Sequence, residues 1–195
     1  MSSPVKVFNH LYANNRTNQI SHCVDDGNLV KWCLEHGADP NGTSTSGITV
    51  LHYAASNASL PTIQYLLDAG GDISASSPSS GVIAHAVQSH SDTQDRMPVI
   101  QYFIDHGADV NALFIHPKYG FGDMKMCWGN QTALHIAVRE GKRDLVETLL
   151  RCGADKEMKT RNLKTGYKWM NAIEIAQKNG YMDLVDVLRG RESAD

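Results

Sequence analysis

The 195-residue sequence is short of the residues that make cross-links, metal sites and membrane spans. Its four cysteines, Cys23, Cys33, Cys127 and Cys152, show no C-x-x-C spacing. No zinc-spaced Cys/His set occurs, and with Cys23 and Cys33 at Ala-like or Leu-like positions the thiols read as small buried hydrophobes in a reducing compartment, cytoplasmic or nuclear, rather than as a disulfide frame. There are only six prolines, and with 42% apolar residues the chain suits one compact domain or one solenoid. No apolar run approaches the length of a membrane span, and the opening M-S-S-P-V-K-V-F-N-H-L-Y holds no apolar h-region. Neither sign of charge dominates, 18 Lys and Arg standing against 21 Asp and Glu for a net −3. Nothing therefore drives the whole chain toward nucleic acid or an anionic membrane.

Catalytic signatures are missing too. The sequence holds no H-E-x-x-H, no phosphate-cradling glycine loop and no G-x-S-x-G. Gly120-Phe121-Gly122 lacks the third glycine and the preceding buried strand of a dinucleotide site. The expectation is of a protein that is not an enzyme, with no catalytic residue, no cofactor and no metal site.

What is present is a pattern that recurs. Thr132 to Asp155 reads T-A-L-H-I-A-V-R-E-G-K-R-D-L-V-E-T-L-L-R-C-G-A-D. The Thr132 hydroxyl suits a helix N-cap, and Gly141 a turn between two short helices. Leu145, Val146, Leu149 and Leu150 repeat at helical spacing, and Gly153 falls where a left-handed C-cap is wanted. One such hairpin cannot bury its own apolar face. Copies supply what it lacks: Gly37-Ala38-Asp39, Gly70-Gly71-Asp72 and Gly107-Ala108-Asp109 precede Gly153-Ala154-Asp155 at intervals of 33, 37 and 46. Thr49-Val50-Leu51-His52-Tyr53-Ala54-Ala55 repeats the opener closely, Gly81–Val87 and Asn171–Ala176 more loosely, and Asn18–Gly27 more loosely still. Second helices are expected over Leu29–His36, Thr62–Ala69, Pro98–His106, Asp144–Cys152 and Asp183–Gly190.

With a period near 33 and a T-x-L-H-x-A opener, the sequence resembles the ankyrin-repeat family over roughly 18 to 190. The resemblance implies an all-α solenoid of about five helix-turn-helix units with β-hairpin-like fingers, forming a single domain over 1–195. The units fall at approximately 18–42, 43–75, 76–111, 112–158 and 159–190. Phe8, Leu11 and Tyr12 suggest a covering helix within an N-terminal cap at 1–17. Arg189 takes the place of Leu34, Leu67, Ile104 and Leu150, which reads as the natural stop of a small solenoid, a pattern that a fragment of a longer protein trimmed at repeat boundaries would share. The third unit's turn, stretched by His90–Met97, is expected to be loose and exposed.

Two fingers are enlarged. The finger at 112–131 carries Phe114, Ile115, Tyr119, Phe121, Met124, Met126 and Trp128, and the next, Thr160–Met170, adds Lys164, Tyr167, Lys168 and Trp169. These aromatics either pack as a satellite core against the solenoid edge or stand out as anchors for a partner. Both can hold at once.

Histidines follow the repeat as well. The resemblance gives His52 and His135 a structural role, bonding across to the neighbouring turn. His36 and His106 sit in the last turns of second helices, where a donor favours the free carbonyls. The opener position is Ser21, Ala84 and Glu174 elsewhere, so those turns are expected to be looser. His85 takes the outward position that Tyr53 holds one unit earlier.

In function, the resemblance implies a protein-binding module whose partner is another protein, met by the concave groove and the finger tips, as an adaptor or as a regulatory subunit of a larger assembly. Carried onto this sequence, the contact positions are Tyr53, Ser56 and Asn57, then His85 and Gln88. They continue with Tyr119, Phe121, Met124 and Trp128 on the long finger, Arg139 and Glu140 beyond it, and Tyr167, Lys168 and Trp169 on the last. The alternative is a small-molecule or catalytic pocket grouping His85 and His116 with Tyr119, Asp123 and Trp128.

Overall fold

Thr49 and Thr132 do the same local work in two places. Each is extended, and each side chain accepts the backbone N–H three residues on, from His52 and from His135, at 3.4 Å. An orphan donor of the first helical turn is thereby satisfied. The helices that follow, Val50–Asn57 (α2) and Ala133–Arg139 (α6), start there. Asn171 opens Ala172–Asn179 (α8) by different chemistry. Its Oδ1 accepts from the Glu174 N–H at 3.0 Å, while Glu174 Oε2 accepts from the Asn171 N–H at 3.0 Å. That is a reciprocal capping box, so the loss of histidine at this opener does not loosen the turn. Gly81 offers no side chain, and its helix Val82–Val87 (α4) runs six residues.

The second helices are Gly27–Glu35 (α1), Leu60–Asp68 (α3), Met97–Asp105 (α5), Arg143–Arg151 (α7) and Met182–Arg189 (α9). All start one or two residues before the expected spans and stop one residue before them. Pro61 and Pro98 stand in the first turns, where their missing N–H costs nothing. At the other end His36, Ala69, His106 and Cys152 leave the helix to enter a shared closure. Gly37, Gly70, Gly107 and Gly153 hold φ between 85 and 92°. In the last of these, Gly153 N–H reaches Leu150 O at 3.1 Å and Ala154 N–H reaches Leu149 O at 2.9 Å. The same pair of bonds closes α1, α3 and α5, so four of the five second helices share one Schellman closure. Asp39, Asp72, Asp109 and Asp155 then each accept the N–H two residues on at 2.8 Å. The repeated Gly-x-Asp is thus one continuous turn, closing the helix and redirecting the chain.

The computed structural model describes residues 27–43, 48–75, 81–88, 95–113, 131–162 and 168–190, and of 161, 162 and 168 the backbone alone. The expected cap at 1–17, the first opener and most of the finger at 112–131 lie outside the described residues. Two compact units divide at Ala108 and Asp109.

In the first unit α1 packs on α3, α2 on α3 and α4, and α4 on α5. Val30, Cys33, Leu51, Ile63, Leu66, Ile83, Ile100 and Phe103 form its interior. Asn41 spans neighbouring repeats, donating from Nδ2 to Gly70 O and accepting from the Asp72 N–H, at 2.8 and 2.7 Å. The stretched turn ends firmly. Asp95 Oδ1 accepts from the Met97 N–H at 2.9 Å, and the half-buried Arg96 reaches the carbonyls of Ala54, Ala55 and Ala58. Looseness is therefore not what the described end of this turn has, because its guanidinium caps a helix that no glycine closes.

In the second unit α6 packs on α7 and α8, and α9 on α7 and α8. Leu134, Ile136, Val146, Leu149, Ala176, Leu184 and Leu188 fill the space between. Asn111 repeats the bridge seen at Asn41, reaching Gly153 O at 3.2 Å and the Asp155 N–H at 2.8 Å. Between α7 and α8 lies a hairpin of two antiparallel strands, Thr160–Asn162 (β1) and Lys168–Met170 (β2). Among the described residues the architecture is all-α apart from this finger and an isolated bridge, Thr43 to Thr49.

Candidate functional site

Strand register decides what the last finger presents. Thr160 pairs with Met170, Arg161 with Trp169 and Asn162 with Lys168. Side chains alternate along a strand, so Met170 and Trp169 must face opposite ways. Met170 is 4% exposed and Thr160 1%, while Trp169 is 54% exposed. The buried pair fixes the hairpin, with β2 lying against α8, and the neighbouring position is left in solvent. Exposing an indole forgoes its large burial energy. Among the described residues only Tyr65 and Met182 are comparably exposed large hydrophobics.

Acceptors beside the hairpin are engaged by one residue. Asn171 Nδ2 donates to Glu157 Oε2 at 3.1 Å, and its backbone N–H donates to Glu174. Elsewhere in the second unit, Arg139 donates to Gln131 Oε1 at 2.7 Å and lies 3.7 Å from Glu140, which Lys142 meets at 2.8 Å. Arg143 pairs with Glu147 at 2.8 Å and with Asp183 at 3.9 Å. These are surface pairs, worth little in stability. They make Arg139 and Glu140 an ordered charged edge.

In the first unit Tyr53, Ser56, Asn57 and Gln88 are half-buried. Ser56 Oγ donates to His85 O at 3.2 Å, which brings α2 and α4 together at two of the expected contact positions. His85 itself is not outward. It is 8% exposed, with its ring edge-on to His52 at 5.2 Å between centroids. Its repeat column continues as Ile136 and Ile175, both buried, and that column was the signal for burial. Tyr65, which the apolar spacing did not mark, is exposed beneath the Lys31 ammonium at 5.1 Å.

Structural histidines are built as the repeat requires. His135 Nδ1 accepts from the Thr132 N–H at 3.1 Å, so the ring proton sits on Nε2, which donates to Met158 O at 2.9 Å. Burial pushes the His135 pKa below its usual 6.5, opposed by the Met158 carbonyl and the charge of Asp155. His36 and His106 each reach back from Nδ1 to the carbonyl four residues earlier, at 2.7 and 2.8 Å, and stack on Trp32 and Tyr102.

Tyr119, Phe121, Met124, Trp128 and Tyr167 lie outside the described residues, as do His116 and Asp123 of the alternative pocket. Lys168 is placed by its backbone in β2. Among the described residues no group of three or more His, Cys, Asp or Glu is arranged to hold a metal ion, and no helix is long and apolar enough to cross a membrane.

Two family models match the chain. Residues 23–67 match the one described as ankyrin repeats (many copies), and residues 82–160 the one described as ankyrin repeats (3 copies).

Proposed function

The chain belongs to the ankyrin-repeat family, and from that footing we propose that it acts as an adaptor or regulatory subunit, gripping its protein partner through the second-unit hairpin. Ankyrin repeats are generally protein–protein interaction modules, and proteins built from them are typically non-enzymatic. The observation that carries the finer reading is Trp169, 54% exposed on a strand whose next residue is buried. Tryptophan is enriched among the few residues that dominate binding energy, and a rigid scaffold lets it bind with little ordering cost. Arg139 and Glu140 supply a charged rim, and Tyr167 and Lys168 belong to the same proposal as contact positions expected from the sequence. Tyr53, Ser56, Asn57 and Gln88 form a second set of contacts on the first unit. A reducing setting, cytoplasmic or nuclear, belongs to the same proposal and is supported by the thiol of Cys33 in the core.

The test compares proteins captured by the wild-type chain and by Trp169→Ala, quantified side by side. A partner that is retained by the first and lost at least about tenfold with the second is the expected result. Equal capture of every protein by both, with the variant fully folded, would count against the hairpin.

A further inference from the structure

In the first unit α1, α3 and α5 carry the same pair of residue types in the same register. Five residues before the closing Gly37, Gly70 and Gly107 stand Trp32, Tyr65 and Tyr102, and two before them stand Glu35, Asp68 and Asp105. Ring and carboxylate are three residues apart, which makes them neighbours on one helix face. That face turns away from the core, because Val30 and Cys33, Ile63 and Leu66, and Ile100 and Phe103 are buried on the other side of each turn. Tyr65 is 40% exposed, Trp32 and Tyr102 are half-buried, and all three acids are exposed. His36 and His106 stack on Trp32 and Tyr102 and hold those rings in place. Among the described residues none of the three acids is in an ion pair, and Asp105 accepts from Gln101 Nε2 at 2.8 Å. Lys31 is the single Lys or Arg on the three helices, and its ammonium lies 5.1 Å from the centre of the Tyr65 ring. On α7 of the second unit the same two positions are Thr148 and Arg151, bonded to each other at 3.0 Å, so neither ring nor acid continues there.

We propose that this face of the first unit docks a basic segment of a protein partner, whose Arg or Lys side chains lie over Trp32, Tyr65 and Tyr102 while Glu35, Asp68 and Asp105 answer their charge. The surface is separate from the Trp169 hairpin, and the proposal stands or falls without it. Charge complementarity selects the occupant. A ring face attracts a cation through its quadrupole, and a carboxylate beside the ring adds a second attraction to the same group. Lys31 shows the arrangement at one rung, where the chain's own cation stands on Tyr65. Anionic partners, nucleic acid among them, are repelled by acids that no cation neutralises. A second copy meeting this face with its own would set like charges together. Packed helices lie about 8–10 Å apart, and an extended polyproline-type segment returns to one side every three residues, or about 9 Å. Arginines at that spacing reach successive rungs.

Fluorescence anisotropy on the full chain tests this. The probe is a labelled peptide with Arg at every third position between Pro and Ala, and its counterparts carry Gln or Glu in place of Arg. The expected result is saturable binding of the Arg peptide, about tenfold or more tighter than the Gln version and weakening steadily with added salt. That comparison needs no variant to fold. Glu35→Gln combined with Asp68→Asn should weaken binding about five- to tenfold, and Tyr65→Ala about two- to fivefold. Lys31→Gln should tighten it about two- to fivefold, by freeing the Tyr65 ring and removing a like charge. Asp144→Asn with Glu147→Gln takes the same charge from the second unit and should leave affinity unchanged. No binding of the Arg peptide, equal affinity for the Gln or Glu version, or no tightening with Lys31→Gln would each overturn the proposal. Equal losses from the two acid pairs would reduce the attraction to net charge and overturn it as well. If sedimentation shows the chain pairing with itself, and Glu35→Gln with Asp68→Asn breaks that pairing, the occupant is a second copy and the basic partner falls.

Discussion

The ring of Tyr181 occupies the space that a side chain on Gly141 would enter. A Cβ built on Gly141 comes within 3.2 Å of Tyr181 Cζ, and the glycine holds φ at +70°. Two separate costs therefore meet at one residue, the left-handed backbone and the crowded ring. Gly141→Ala should destabilise the chain by about 1–2 kcal/mol from the backbone alone, with the steric part added. In a Tyr181→Ala background only the backbone part should remain. Urea unfolding of the four proteins in this cycle measures the difference, and strict additivity would show that ring and glycine are independent.

His135 makes stability depend on pH. Burial lowers its folded pKa below 6.5, so the unfolded chain takes up this proton at a higher pH than the folded chain does. The stability contributed by the neutral ring is fully present above about pH 6.5 and is lost as pH falls from there through the folded pKa. A proton on Nδ1 would also face the Thr132 N–H that Nδ1 now accepts. His135→Gln should cost about 1–2 kcal/mol near neutrality, by losing the bonds to Thr132 and to the Met158 carbonyl. The gap between the two proteins should narrow as the solution is acidified. A gap that stays constant from neutral pH to about pH 5 would assign the pH dependence to other groups.

How much of this was open to a reader of the sequence depended on the distance between partners. The Gly-x-Asp closures and the Thr-capped openers are local, so their residue types stand next to the bonds they make. The fifth opener departs from the expected looseness because its turn needs only a side-chain acceptor at position 174, not a histidine, and Glu174 is one. The likeness of His85 to Tyr53 points outward, whereas the later members of its column, Ile136 and Ile175, are buried, and His85 follows them. Trp169 drew notice by composition, but its exposure follows from the pairing of Thr160 with Met170, which spacing alone does not fix. Arg96 gave no signal at all. Its acceptors lie 38 to 42 residues earlier in the chain.

That arginine replaces a missing helix terminator. α2 ends at Asn57 and passes into an extended Ala58, with no left-handed glycine to turn its last carbonyls inward. Arg96 Nη1 donates to Ala58 O at 2.6 Å, and Nη2 donates to Ala54 O at 3.3 Å and to Ala55 O. One planar cation so answers three acceptors at the negative end of a helix dipole. Arg96→Ala should destabilise the chain by about 2–3 kcal/mol, since hydrogen bonds from a charged donor are the stronger kind. Arg96→Lys should recover less than half of that, because a single ammonium lacks the fork that spans the three carbonyls. Denaturant midpoints for the two variants provide the check. If lysine restores the wild-type midpoint, charge alone is sufficient. If alanine leaves the midpoint within the equivalent of about 0.5 kcal/mol, the helix end is satisfied by water and the cap is dispensable.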